Sequence, residues 1–521
     1  MKARMQVLGS YVSGAWYVGQ GKRQTLLNPA TEEPVADVSV EGVDLGAAFA
    51  FARDVGGAEL RALTFAERGE ILLAISRAIH KEREQLIDLA MLNGGNTRGD
   101  AKFDIDGASG TLAYYAGLGK DLGSKKVTVE GESAQLSRGP RFVGQHLLVP
   151  RRGVAVLVNA FNFPAWGIGE KAACALLAGM PIVIKPATST ALVATRLVQL
   201  IVEQGLAPKG AVTLLNGPAG NMTDHLGGED VLSFTGGSKT AATLRALPQV
   251  VSQSLRLNVE ADSLNAAVLG PDVELGSDTW NAFVRDVARD ITQKAGQKCT
   301  AIRRIFVPTD KVGDVTDALV ERLREIVVGN PIEDSVTMGP VATAAQLADV
   351  RAGIERLAAE STYAIGDAAF QPIGAPPGKG FFVPPTLFSS SDPSKQNAVH
   401  AHEVFGPCAS VLGYTSLTDA IAGVRRGGGA LVSSLYSDDR AALGELALGL
   451  ASAHGRLVLT NAKIAEQTVG PGTVLPQSIH GGPGRAGGGE ELGGLRGLGF
   501  YSHRVALQGD RPILEGLVDG A

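Results

Sequence analysis

The strongest constraint on the fold is a repeated change of hydrophobic period: short, wholly apolar runs alternate with longer amphipathic stretches along most of the chain. Val154 to Val158 and Pro181 to Ile184 read as strands buried on both faces, because a strand with one wet face alternates apolar and polar side chains and these do not. Between them Gly167 to Leu177 has helical character, and Ser189 to Gln204 follows as a longer amphipathic helix. Parallel neighbours need a crossover of about this length, so the pattern predicts an α/β fold, a parallel sheet flanked by helices. A second α/β unit starts after Glu260, with Thr279 to Lys294 as a helix, Ile302 to Val307 as a strand and Val312 to Val328 as a further helix. Glu67 to Asn93 is the longest helical pattern of the first part, and Lys125 to Val149 alternates like a β-hairpin.

A chain of 521 residues with 45% apolar content suits two or more domains with large cores. The net charge of -5 is small for this length, with no basic stripe, so no nucleic-acid partner is expected. Three cysteines, Cys174, Cys299 and Cys408, argue against a disulfide framework and suit a reducing compartment. Met1 to Ser10 lacks the apolar core of a signal peptide and no run of about 18 apolar residues occurs, so no membrane contact is expected and the cytoplasm is the expected location.

In open α/β sheets ligands bind beyond the carboxyl ends of the strands, and the chemistry-bearing motifs fall there. Ala160-Phe161-Asn162-Phe163-Pro164 follows the first buried run and Lys185-Pro186-Ala187-Thr188 the second. Phe234-Thr235-Gly236-Gly237-Ser238 follows Val231-Leu232-Ser233 and precedes a helical stretch, so its backbone amides are placed to face a pyrophosphate. Gly296-Gln297-Lys298-Cys299-Thr300 sets a cysteine beside a lysine. A free thiol titrates at about 8.5, and a neighbouring cation or row of N–H groups would raise its nucleophilic fraction. A lone cysteine is more often a small buried hydrophobe, and only its company gives it chemistry.

Together with Asn28-Pro29-Ala30-Thr31, Glu260 and His402-Glu403-Val404-Phe405-Gly406-Pro407, these motifs resemble the aldehyde dehydrogenase superfamily over nearly the whole chain. Glu260-Ala261-Asp262-Ser263-Leu264-Asn265 is similar to the branch that oxidises CoA-linked semialdehydes in aerobic breakdown of aromatic acids. The resemblance implies three parts: a Rossmann-like cofactor domain (1–124 and 150–262), an α/β catalytic domain (263–480) and a small β oligomerisation arm (125–149 and 493–521), hence a homodimer or a dimer of dimers. It implies Cys299 as nucleophile, the Asn162 side chain and Cys299 N–H as oxyanion donors, Glu260 as the base for deacylation, and Lys171 and Glu491 as proton relay. Laid without a gap on the commoner Leu-Glu-Leu pattern, Leu257-Asn258-Val259 would put Asn258 at the base position. A two-residue step along a strand returns to the same face, which keeps Glu260 the choice.

For the cofactor the resemblance implies Lys185 at the adenosine ribose, Phe234, Thr235, Gly236, Gly237 and Ser238 at the pyrophosphate, and Glu403 with Phe405 at the nicotinamide ribose. Many NAD-preferring members carry glutamate three residues after that lysine. Thr188 here removes the charge that would repel a 2'-phosphate, so NADP is expected, with NAD a weaker alternative. No metal is expected. The loop from Ala462 to Leu475 and the glycine-rich segment around Arg485 would line a substrate entrance wide enough for an acyl-CoA. A general alkyl or aryl aldehyde dehydrogenase, a CoA-acylating semialdehyde dehydrogenase and a non-enzymatic binding protein on the same scaffold remain as alternatives.

Overall fold

Apolar runs without alternation become the inner strands of two seven-stranded sheets in the computed structural model, which describes residues 6–366, 370–390 and 396–519. Positions 1–5 and 520–521, the extreme ends of the expected cofactor and arm segments, lie outside the described residues. The first sheet runs in the order Arg256–Glu260, Val231–Thr235, Ala155–Val158, Ile182–Lys185, Val212–Leu214, with the short antiparallel pair Ser10–Val12 and Ala15–Tyr17 added at the far edge. Its first five strands are parallel. From Ala155–Val158 the chain builds one way through Ile182–Lys185, then crosses to the other side with Val231–Thr235. The strand order therefore reverses between two adjacent strands, and the loops leaving them diverge to open a crevice.

The second sheet has the order Thr362–Ile365, Thr386–Ser390, Cys408–Tyr414, Arg304–Pro308, Ala266–Leu269, Ala430–Tyr436, His454–Thr460, and only its first pair is antiparallel. Val156, Leu157 and Val183 in the first sheet and Ala267, Val268 and Ile305 in the second have no exposed surface. Each fully buried side chain of the Val or Leu kind contributes about 1.5–3 kcal/mol, so these strands hold their loops in fixed positions. A third, antiparallel sheet lies apart: Thr128–Gln135 and Phe142–Pro150 form a hairpin, and Ser502–Asp510 returns to pair with Phe142–Pro150 along its whole length.

Several expected boundaries shift for physical reasons. The helical pattern from Glu67 to Asn93 is two helices, Phe65–Lys81 and Arg83–Gly94, broken at Glu82 (φ -95°, ψ 15°). The first opens on a capping box between Thr64 and Glu67, which satisfies two of its free N–H groups. The longest helix of the first part is instead Arg98–Leu122, with 25 residues. Its glycines hide it from a propensity reading, yet they are packing sites: a Cβ on Gly107 would lie 2.2 Å from the Trp166 ring, and one on Gly119 would lie 3.0 Å from Gly69 Cα. The expected helix from Ser189 opens with a 3-10 turn, Thr188–Thr190, before Ala191–Glu203. The one from Val312 stops at Arg324, because Val328 leaves to bridge with Met338. No helix among the described residues is long and apolar enough to cross a membrane.

Candidate active site

The crevice of the first sheet faces the second, and the motif residues meet at that seam. Glu260 is the last residue of the edge strand Arg256–Glu260, Asn162 lies in the loop after Ala155–Val158, and Cys299 lies between the helix Asp278–Thr292 and the strand Arg304–Pro308. The helix ends two residues before the expected Lys294. Lys294 (φ 55°, ψ 35°) and Ala295 (φ 51°, ψ 37°) are left-handed, and Gly296 follows at φ 68°. Non-glycine residues in that region cost about 1–3 kcal/mol each and persist only where the surroundings enforce them. Here the Lys294 ammonium donates to Asn96 Oδ1 at 2.7 Å and sits 4.6 Å from the Phe163 ring centroid. Gly296 has no room for a side chain, since a Cβ would lie 2.1 Å from the Gly406 carbonyl oxygen. Beyond the turn, Asn265 Nδ2 donates to the carbonyl of Cys299 at 2.8 Å.

The lysine beside the cysteine does not activate it. Lys298 turns into the protein, where it pairs with Asp290 at 2.6 Å and donates to Gln293 at 2.9 Å. Lys298 and Cys299 belong to a turn closed by the Ala301 N–H on the Lys298 carbonyl at 3.2 Å, and their side chains leave it in different directions, which sequence adjacency conceals. Cys299 Sγ instead lies 3.9 Å from Nε2 of His480, and the same Nε2 is 3.1 Å from Oε2 of Glu260. Burial, followed by the Glu260 charge, pushes the Cys299 thiol well above its usual range. Burial alone would raise Glu260 too, but the His480 imidazole and the Lys171 ammonium override it and hold the carboxyl at about 2. For His480 burial acts downward, and the Glu260 carboxylate reverses it to a net rise. Glu260 is therefore a carboxylate held by the His480 imidazole beside a neutral thiol, with its Oε1 buried and without a partner among the described residues.

Asn162 Nδ2 donates one hydrogen bond to the Gln297 carbonyl at 3.0 Å, leaving its second N–H toward the Cys299 pocket. Behind Glu260, Lys171 bridges Glu170 at 3.0 Å and Glu491 at 3.1 Å, all three buried. Asn258 Nδ2 donates to Glu491 at 2.9 Å, and Ser233 Oγ donates to the same carboxylate oxygen. Glu491 and His480 are cross-strand partners in the short pair Ile479–Gly481 and Glu490–Leu492. Asn258 and Glu260 thus both reach this one hairpin, as residues two apart on a strand should.

The remaining motifs border a cleft of about 710 Å³ that opens beside Cys299. Gly236, Gly237, Ser238, Ala187, Glu403 and Phe405 line it. A Cβ on Gly237 would meet nothing within 4 Å, and the helix Ser238–Arg245 has no side-chain cap, although the Ser238 N–H donates to Asp262 Oδ1 at 3.1 Å. Thr235 lines both the cleft and the Cys299 pocket, and its buried hydroxyl has no partner among the described residues. Open space over Gly237 and an unpaired hydroxyl on Thr235 fit a phosphate-bearing dinucleotide, while the N–H groups of Gly236 and Ser238 are already given to the Glu260 carbonyl and to Asp262. Phe234 is buried and does not line the cleft; its ring backs Gly236. Lys185 and Thr188 do not line it either. The Lys185 ammonium donates to the Pro186 carbonyl, and burial lowers it to about 8 with no carboxylate at hand. Glu403 accepts from the Ser263 N–H at 3.0 Å and pairs with Arg303 at 3.4 Å; burial lifts it to about 7 despite that arginine. Arg485 borders the cleft with its guanidinium donating to the carbonyls of His400, Ala401 and Gly427.

Three residues outside the sequence motifs belong to this site. His480 had one faint signal, its place before Gly481-Gly482, but its partners lie 181 and 220 positions away in sequence. Glu170 lines the Cys299 pocket, and burial raises it to about 7. Asn159 lines the same pocket with both side-chain polar atoms buried and unpartnered among the described residues. The pocket's apolar wall is the aromatic group Phe103, Phe163 and Trp166, with ring centroids 5.0–6.1 Å apart. Gly472 and Val474 close it from the 462–475 loop.

The chain is 44% identical over 477 residues to a 3,4-dehydroadipyl-CoA semialdehyde dehydrogenase from Aromatoleum evansii, covering 91% of this chain and 93% of that one. A betaine aldehyde dehydrogenase from Bacillus subtilis is 27% identical over 79% of this chain and 81% of its own length. Among solved structures, a Staphylococcus aureus betaine aldehyde dehydrogenase in complex with NAD+ superimposes with a TM-score of 0.84 at 25% identity, covering 96% of this chain and 95% of that one. The sequence profile of the aldehyde dehydrogenase family matches residues 16–501, and with a similarity of this extent the chain belongs to that family.

Proposed function

We propose that this aldehyde dehydrogenase oxidises a CoA-linked semialdehyde, of the 3,4-dehydroadipyl-CoA semialdehyde class, to the carboxylic acid with NADP. The observation that carries the substrate reading is the 44% identity to the Aromatoleum evansii enzyme over nearly the full length of both chains. The observation that carries the reaction is the meeting of Cys299, Glu260 and Asn162 at one pocket.

Cys299 Sγ attacks the aldehyde carbon while its proton passes to Glu260, giving a thiohemiacetal. The developing oxyanion takes hydrogen bonds from the free N–H of Asn162 and from the backbone N–H of Cys299. A nicotinamide cofactor, when bound, supplies the hydride acceptor that turns this adduct into a thioester. Once Glu260 has given the thiol proton up to the Lys171–Glu491 relay, water adds to the thioester carbon with Glu260 Oε1 as its base, and Cys299 leaves as a thiol with the proton that Glu260 took from the water. His480 holds Oε2, so one carboxylate oxygen is fixed and the other is free to face the water. Lys171 and Glu491 carry the proton onward from the base.

The pyrophosphate is assigned to Thr235, Gly236, Gly237 and Ser238, and the nicotinamide ribose to Glu403 and Phe405. Neither Lys185 nor Thr188 lines the cleft, but both flank Ala187, which does; the NADP preference rests on Thr188, which lacks a carboxylate, and on Lys185, a buried ammonium with no anionic partner. Residues 1–124 and 150–262 form the cofactor domain, 263–480 the catalytic domain, and 125–149 with 493–521 an arm for a homodimer or a dimer of dimers. Three free thiols, one of them the nucleophile, suit a reducing cytoplasm.

The test is a panel of CoA-linked and simple aldehydes offered with NADP or NAD, with and without free CoA. The proposal predicts the free acid as product, no dependence on CoA, and the largest kcat/KM for the CoA-linked semialdehyde with NADP. Acyl-CoA formation from added CoA, or equal efficiency with simple aldehydes, would overturn it.

A further inference from the structure

The ligand atoms of Cys299, Glu260 and His480 all lie within 4.8 Å of one another at the head of the substrate pocket. Around a tetrahedral zinc ion, sulfur, nitrogen and oxygen ligands at about 2.0–2.3 Å define triangle edges of about 3.3–3.6 Å. Here Sγ to Nε2 is 3.9 Å and Nε2 to Oε2 is 3.1 Å, both within a few tenths of an ångström of those edges, and the third edge is no longer than 4.8 Å. Thiolate, imidazole and carboxylate are the donor set of zinc sites that keep a fourth position open.

A second, independent feature points to a cation. Glu260 is 4% exposed, and its Oε1 has no hydrogen-bond partner among the described residues, although it borders the same pocket. One thiolate and one carboxylate neutralise the charge of M2+ in a buried site. On binding, the metal takes the place of the Cys299 thiol proton and of the proton that His480 Nε2 directs at Glu260: the thiol proton leaves to solvent, the imidazole remains neutral with its N–H on Nδ1, and the hydrogen bond between His480 and Glu260 gives way to two metal bonds. No redox change is involved.

We propose that Cys299, His480 and Glu260 form a reversible inhibitory site for a thiophilic divalent cation of the zinc class, which silences the enzyme by occupying its nucleophile and its base together. The site excludes aldehyde directly, because the fourth coordination position faces the substrate pocket. Sequence spacing conceals such a site, since its ligands come from the end of the first sheet, a loop of the second α/β unit and the late hairpin.

The experiment titrates the full-length protein, without substrate or cofactor, with Cd2+ as a spectroscopic stand-in and follows the ultraviolet thiolate-to-cadmium charge-transfer band. The expected result is one equivalent bound, no band in Cys299→Ala, and an affinity lowered by at least about 100-fold in His480→Ala, a loss at or above the top of the range seen when only an outer-shell partner is removed. Cys174→Ser and Cys408→Ser should keep the band, because both thiols are buried elsewhere. Zn2+ should compete for the site, and inhibition of the wild type by Zn2+ should be competitive with aldehyde and reversed by a chelator. If His480→Ala fails to fold by circular dichroism, Glu260→Gln supplies the same comparison. No band in the wild type, or a band of equal affinity in the folded His480 or Glu260 variant, would overturn the proposal. Because binding is read without turnover, a wrong substrate assignment leaves this result untouched.

Discussion

At the scale of residues, the site is governed by what stands beside each charged group rather than by what precedes it in the chain. Lys298 illustrates the limit of sequence reading: adjacency makes it a plausible activator of Cys299, yet its ammonium is bound to Asp290, and His480 takes the place beside the sulfur. Cys299, Glu260 and Asn162 were legible because each sits in a motif, whereas His480 and Glu170 join the site only through the fold. Glu170 yields a pH prediction. Burial raises its carboxyl from 4.5 to about 7, so the folded state holds a proton that the unfolded state releases. Stability therefore falls as pH rises from about 4.5 through about 7, and Glu170→Gln should flatten that decline, read as the slope of melting temperature against pH. An unchanged slope would mean that another group carries the proton. Thr188 yields a cofactor prediction. A glutamate there would stand against a 2'-phosphate at a cost on the order of 1–4 kcal/mol, so Thr188→Glu should lower the NADP to NAD ratio of kcat/KM by about one to three orders of magnitude. An unchanged ratio would remove position 188 from the ribose pocket.

At the scale of elements, the inner strands were the most legible part, because parallel strands buried on both faces cannot alternate and so announce themselves as apolar runs. Helix ends were less so. The helix before Cys299 loses its regular geometry at Lys294 and Ala295 for reasons that lie 198 positions away, in Asn96, and in the Phe163 ring. The glycine-rich helix Arg98–Leu122 is held by close packing that propensity scales count against it. This strained turn sets the height of the nucleophile, which makes Gly296 its most sensitive point. Gly296→Ala meets both a positive φ and a Cβ 2.1 Å from Gly406 O, so it should destabilise the protein by about 1–3 kcal/mol or more in denaturant titration. It should also lower kcat more than it lowers cofactor affinity, because the displaced atom is Sγ. Equal losses in both would place the effect outside the turn.

At the scale of the whole molecule, the two sheets each provide half of the chemistry, and the arm stands outside both. The hairpin of the third sheet exposes Val129, Leu136 and Phe142 at 39–44%, although Ser502–Asp510 pairs beside it and the helix Arg511–Asp519 packs against it. If the proposed dimer forms through this hairpin, replacing all three by Ser should give a monomer in light scattering while near-native secondary structure is kept; an unchanged mass would move the interface elsewhere. The family was legible from motif order, while the meeting of the strand end at Glu260 with the loop at Cys299 required the fold. In the proposed mechanism, a thioester formed at this meeting on one half is hydrolysed by a base from the other. Intact-protein mass spectrometry of Glu260→Gln, quenched after mixing with NADP and the CoA-linked semialdehyde, tests it most directly. The account predicts a single acyl adduct on Cys299, absent in Cys299→Ala, with a burst of about one NADPH per site followed by turnover slowed about 100- to 10,000-fold. Wild-type turnover in Glu260→Gln with no adduct would contradict it.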